Sequence, residues 1–218
     1  MISNRVLARV FRAVESTNRG FQKTGISVAV PDRDPYRTLI ACLLSLRTKD
    51  EVTDVAAARL FTLAETPQKM LALPEAAIAK TVYPVGFYRT KAATIHAVSR
   101  DIIERFRGQV PDTIDALLTL KGVGRKTANL VVTLGYGRPG ICVDTHVHRV
   151  TNRWGYVKTR APDETESALR KTLPRRYWIP INDLLVQFGR NVCQPVSPRC
   201  SICPLATLCP RIGVKHPR

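Results

Sequence analysis

Cys193, Cys200, Cys203 and Cys209 follow the spacing C-x6-C-x2-C-x5-C within seventeen residues. Four thiolates this close in sequence can surround one metal centre, and Pro195, Pro198 and Pro204 bend the intervening loops away from helix. Zinc accepts four cysteines in a tetrahedron, and a cubane 4Fe–4S cluster takes one thiolate per iron. Both are soft-ligand centres, so ligand type alone leaves the two open. The remaining cysteines, Cys42 in "LIACLLSL" and Cys142 in "PGICVD", have apolar neighbours and read as small core residues.

A second constellation is "LKGVGRKTANL", Leu120 to Leu130. It is no nucleotide loop. A P-loop needs Gly-x4-Gly-Lys-Ser/Thr, whereas Arg125 separates Gly124 from Lys126 and Thr119 stands where the first glycine belongs. The context is an apolar helix ending at Leu120, the turn Gly122-Val123-Gly124, and a second apolar helix through Leu130, Val131 and Leu134. A turn this tight leaves backbone N–H groups pointing out of the hairpin, where they suit a phosphate oxygen and read no bases. An ordinary hairpin in a helix bundle is the alternative; Lys121 and Arg125 beside the glycines favour phosphate. Lys126 is then either one more phosphate-binding cation or a reactive amine.

The elements that must carry these residues are helical. Lys91, Ile95, Val98, Ile102 and Phe106 recur at helical spacing. "DEVTDVAAARLFTLAE" predicts a helix with Asp50 as its N-cap and Pro67 beyond its end. "PDTIDALLTL" and "INDLLVQFGRNVC" predict two more, the latter ending near Gly189, and "LIACLLSL" predicts a buried helix. Strand-like alternation is scarce, so the fold class is all-α. "GYGRPG", from Gly135 to Gly140, must interrupt any helix.

The 218 residues carry 34 Lys and Arg against 17 Asp and Glu, a formal net charge of +17. That excess favours a polyanionic partner, most simply nucleic acid, with salt-sensitive association. No apolar run approaches the ~20 residues of a membrane span. "MISNRVLARVFRAVES" has no apolar signal-peptide core. The expectation is a cytoplasmic protein, nucleoid-associated if prokaryotic, in a compartment where clustered thiols serve ligation rather than disulfides.

"LKGVGRKTAN", followed eighteen residues after Lys126 by Asp144 in "VDTHVHR", resembles the helix-hairpin-helix and catalytic pair of the endonuclease III family of DNA glycosylases. The cysteine spacing matches that family's 4Fe–4S motif, and "LLSLRTKD" and "GFYRTKA" resemble its two lesion-facing segments. The likeness is collinear over nearly the whole chain, and it decides the cysteine centre for 4Fe–4S over zinc.

The resemblance implies two helical domains with a DNA groove between them. One is a six-helix barrel over residues 28–138 that includes the hairpin; the other, holding the cluster, is discontinuous over 1–27 and 139–218. It implies a monomer acting on duplex DNA with an oxidised or ring-saturated pyrimidine or an abasic site. Lys126 would be the nucleophile, and Asp144 would stabilise charge on the sugar and assist proton transfers. The chemistry needs a neutral amine, a form that desolvation and the cations Arg125 and Lys121 favour and Asp144 opposes. Expected DNA contacts are Arg47, Asp50, Phe87, Lys121, Gly122, Val123, Gly124, Arg125, His148 and Arg199. Departures from the family pattern are Arg47 where glutamine is common, Phe87 where leucine is frequent, and Lys121 in place of a proline.

Three rivals remain at this stage. A monofunctional glycosylase of the same superfamily would lack a lysine at position 126, and its mismatch-adenine branch usually adds a C-terminal domain, against nine residues here after Cys209. A regulatory DNA-binding protein would not need the Lys126–Asp144 pair. A zinc-stabilised structural protein would be colourless.

Overall fold

The computed structural model describes residues 2–23 and 25–218, and among them there is no β-strand. The chain divides into two compact units, Thr24–Gly140 and Met1–Lys23 with Ile141–Arg218.

Helix α1 (Asn4–Asn18) opens the discontinuous unit, burying Leu7, Val10, Phe11 and Val14 on one face at i, i+3, i+4 and i+7. The continuous unit then runs through α2 (Ile26–Ala29), α3 (Pro35–Ser45), α4 (Asp50–Leu63), α5 (Pro67–Ala72), α6 (Glu75–Val82), α7 (Tyr88–Phe106), α8 (Ile114–Leu118) and α9 (Arg125–Leu130). A π-turn, Val131–Gly135, extends α9. Next, back in the first unit, come α10 (Thr145–Arg153), α11 (Pro162–Thr172) and α12 (Pro180–Asn191). Short 3-10 turns follow α11 and open the cysteine loop.

Helix α3 is the axis of the continuous unit. Pro35 occupies its first turn and the Asp34 side chain caps it, accepting from Arg37 N at 2.7 Å. From Leu39 to Leu44 every residue is buried, because α2, α4, α7, α9 and the π-turn all pack against it. The π-turn comes so close that a Cβ on Gly135 would lie 2.9 Å from Pro35 Cα. Cys42 is buried here and Cys142 in the other unit, as small core residues.

In the discontinuous unit α1 and α10 pack on α12 around Trp154 and Phe188. Phe11 stacks on Tyr177 at 4.3 Å and meets Trp154 edge-on at 6.4 Å, which ties the N-terminal helix to the rest of its unit. Gly189 has no room for a side chain: a Cβ there would stand 2.6 Å from His146 Nδ1, so its absence lets α10 and α12 meet closely.

Two helix boundaries differ from the sequence expectation. Asp50 is not the cap of α4; Lys49 is, and Asp50 lies with Glu51 in the first turn, where carboxylates favour the positive end of the helix. The helix before the glycine turn begins after Thr113, whose hydroxyl accepts from Ala116 N, and ends at Leu118 instead of Leu120. Thr119 caps it through its own N–H.

Candidate functional site

Within the continuous unit, α8 packs on α9 and the turn between them carries Lys121–Gly124. Gly122 has φ +76°, and a Cβ there would also lie 3.0 Å from Thr94, so the hairpin requires glycine. Gly124 differs: its φ is −99° and a Cβ would meet nothing within 4 Å. The fold does not demand glycine there, and the space it leaves open lies directly at the N-terminus of α9. Val123 turns inward and is buried, anchoring the hairpin, while Lys121, Arg125 and Lys126 are exposed. Lys126 is the second residue of α9. Its charge reaches Cys42 in α3: burial pushes that thiol up to about 12, and the ammonium opposes the rise.

The segments after α3 and before α7 form a second cluster. Arg47 and Phe87 are both exposed and both left-handed, with φ of 54° and 57°. The Arg47 guanidinium lies over the Phe87 ring, 5.8 Å from its centroid. Gly86 makes this approach possible, since a Cβ there would sit 2.8 Å from Arg47 O. Asp50 is half-buried at the start of α4, its carboxylate facing Gly25.

Lys91, from the buried stripe of α7, holds this cluster from beneath. It is 8% exposed, and its Nζ donates to Leu44 O (2.7 Å), Leu46 O (2.5 Å) and Thr48 Oγ1 (3.0 Å). Thr48 Oγ1 in turn accepts from Gly86 N at 3.1 Å. Burial pulls the Lys91 ammonium down to about 8, and a full set of acceptors is what makes a buried charge tolerable. Left-handed backbone at non-glycine residues costs roughly 1–2 kcal/mol each. The bonds from Lys91 and from Gly86 to Thr48 fix the backbone of both segments and so hold the two turns in place, although burial still disfavours the charge. A lysine at i−4 from Ile95 on an apolar stripe was the one sequence signal for this residue.

In the discontinuous unit Asp144 caps α10, its Oδ1 accepting from His146 N and Val147 N, both at 2.9 Å. The cap fixes the carboxylate at the head of the helix and engages one oxygen. His148, one turn on and half-buried, pairs through Nδ1 with Thr165 Oγ1 at 2.7 Å.

The four cysteines line a cavity partly open to solvent, together with Arg153, Trp154 and Phe188 among others. Burial pushes the Cys203 thiol up to about 11, and Cys193, Cys209 and Cys200 add to the rise because thiolates so near repel. Cys209 is raised by burial too. Among the described residues no group of three or more His, Cys, Asp or Glu side chains is gathered to hold a metal ion.

Two arginines of α10 fasten this loop, and neither stood out in the sequence. Arg149 donates from Nε and Nη2 to Cys193 O (3.1 and 3.0 Å) and from Nη2 to Gly189 O (3.0 Å). Arg153, 8% exposed, donates to Gln194 O (2.7 Å), Pro195 O (2.6 Å) and Cys193 Sγ (3.4 Å). Arg199 is exposed beside Cys200, its N–H bonded to Val192 O.

Residues 40–175 match the model of the HhH-GPD superfamily of base excision DNA repair proteins. Endonuclease III of Thermotoga maritima is 47% identical over 178 residues, covering 82% of this chain and 84% of that protein. The chain belongs to the endonuclease III family. Two solved structures extend the likeness to the backbone, each 32% identical and covering 97% of both chains. One is a non-covalent endonuclease III–DNA complex, with a TM-score of 0.84. The other is a trapped endonuclease III–DNA covalent intermediate, with a TM-score of 0.79. The all-helical architecture is that of the endonuclease III family. Among the described residues no helix is long and apolar enough to cross a membrane.

Proposed function

We infer that the chain is a bifunctional DNA glycosylase and abasic-site lyase of base excision repair, acting on oxidised or ring-saturated pyrimidines in duplex DNA. One observation carries the reading: a lysine, Lys126, stands in the first turn of the helix that follows the glycine hairpin. It does so in a family whose 32% identical neighbour was captured as a covalent DNA intermediate.

The hairpin supports a phosphate contact, because Gly124 leaves open space at the N-terminus of α9 with exposed Lys121 and Arg125 alongside. The net charge of +17 supplies attraction to the duplex at a distance. A damaged base must leave the stack, at a cost of a few kcal/mol that damage lowers. Exposed Phe87 provides an apolar wedge, and Arg47 a planar fork of donors for the vacated position.

The Lys126 amine then attacks C1′, and the electrons of the N-glycosidic bond leave with the base, which takes up a proton. Opening of the sugar gives a Schiff base. Loss of a C2′ proton drives β-elimination, breaking the C3′–O bond and cutting the strand 3′ to the site. Asp144 stabilises positive charge developing on the sugar and takes part in the proton transfers.

The donor set of Cys193, Cys200, Cys203 and Cys209, which line one cavity, fits a 4Fe–4S cluster with one thiolate per iron; the C-x6-C-x2-C-x5-C spacing, which resembles the family motif, favours it over zinc. When bound, the cluster would cross-link the loops that Arg149 and Arg153 already fasten, and with them the position of Arg199. The purified protein is expected to be brown, with broad absorption near about 400 nm lost on cluster removal. A colourless protein with one zinc per chain would overturn the assignment.

The activity is tested with a panel of duplexes, each bearing one lesion, in which base release and strand cleavage are assayed separately. We expect release of damaged pyrimidines coupled to cleavage on the 3′ side. Base release with an uncut strand would make the enzyme monofunctional, and silence on every damaged pyrimidine and abasic site would overturn the reading.

A further inference from the structure

Lys91 has no part in the chemistry above, yet three hydrogen bonds hold its buried ammonium. Its three N–H donors are committed to three acceptors in the last turn of α3 and the segment that follows it. Leu44 O and Leu46 O lie at the C-terminal end of that helix, where the helix dipole favours a cation. The third acceptor, Thr48 Oγ1, also accepts from Gly86 N, so one hydroxyl joins the two segments that carry Arg47 and Phe87. Gly86 brings their backbones into contact. The outcome is two exposed side chains on left-handed turns, held against each other and fastened from beneath.

We propose that Lys91 is a positioning residue that locks residues 46–48 and 86–87 into one rigid DNA-probing unit, so that Arg47 and Phe87 enter the duplex together. This rests on the reading that both segments face the damaged base pair. The unit is assembled before DNA arrives, so the two side chains need not be ordered separately at the moment of base extrusion. The lowered ammonium of Lys91 does not make it a rival nucleophile here, because its donors are spent within the fold.

The test compares the full chain with Lys91→Met, Thr48→Val, the double variant Arg47→Ala/Phe87→Ala, and that double variant with Lys91→Met added. Two reactions are followed: single-turnover base release from a duplex holding one damaged pyrimidine, and borohydride trapping on a single-stranded abasic site. The second needs Lys126 but no wedge. Lys91→Met is expected to slow base release by roughly tenfold or more through misplacement of the probing side chains. It should change single-stranded trapping by less than about twofold, and in the Arg47→Ala/Phe87→Ala background it should add less than about threefold. Thr48→Val should show a smaller loss of the same selectivity, and it carries the test if Lys91→Met fails to fold.

Equal loss in both reactions, a full tenfold loss without Arg47 and Phe87, or no loss at all would overturn the positioning role of Lys91. Wild-type base release by Arg47→Ala/Phe87→Ala would instead overturn the lesion-facing reading on which that role rests. A wild-type enzyme inactive in both reactions would overturn the proposed function itself.

Discussion

Lys126→Gln is expected to form no borohydride-trapped adduct with abasic-site DNA while its binding to the same DNA stays measurable. Glutamine has no amine to condense with C1′, so the covalent route is removed rather than slowed. The loss should exceed about a thousandfold, or about 4 kcal/mol of transition-state stabilisation. Little else should change. Position 126 is exposed on the first turn of α9, and lysine and glutamine have similar helix propensity. Binding persists because the Gly122–Gly124 turn and the Lys121 and Arg125 cations remain; only one charge is lost, reducing the salt dependence by about one phosphate contact. Undiminished trapping would make Lys126 a phosphate-binding cation and leave the nucleophile elsewhere.

Asp144→Asn should fold with its cysteine centre intact and lose about a hundredfold to a thousandfold in base release, the range seen when one preorganised electrostatic group is removed. The choice of asparagine separates two roles. Asp144 caps α10 through His146 N and Val147 N, and asparagine caps about as well as aspartate. The helix therefore keeps its start while the charge disappears. Asp144→Ala removes both, and should cost a further ~1 kcal/mol of stability for the lost cap. Thermal melting and single-turnover base release distinguish these cases. Near-normal turnover in Asp144→Asn would confine Asp144 to its structural role.

The helical class was legible because apolar residues recur at helical spacing where one face is buried, as in α7. The run from Leu39 to Leu44 has no polar face, and its burial on all sides explains why. Caps were less legible. Asp50 reads as a cap from composition, but the chain turns into helix one residue earlier, and the acid serves the first turn instead. The chemistry-bearing types stood out because few structural roles call for four cysteines in seventeen residues or for two glycines before Arg-Lys-Thr.

What supports those residues did not stand out. Arg149 and Arg153 look like ordinary basic positions until the turn of α10 aims them at the carbonyls of Cys193, Gln194 and Pro195, far along the chain. Lys91 was visible as a break in an apolar stripe, but its acceptors lie more than forty residues away and are mostly backbone carbonyls, which every sequence has. Side-chain spacing carries no information about which carbonyls will gather around a buried charge.

The central claim is that one amine does the chemistry, and the most direct measurement is to locate it. The wild-type protein is reduced with borohydride on duplex DNA bearing a damaged pyrimidine, the DNA is trimmed with nuclease, and the digested peptides are mapped by mass. The sugar remnant is expected on Lys126, in the peptide that continues from the glycine hairpin. A remnant on the N-terminal amine, or on buried Lys91, would contradict the account.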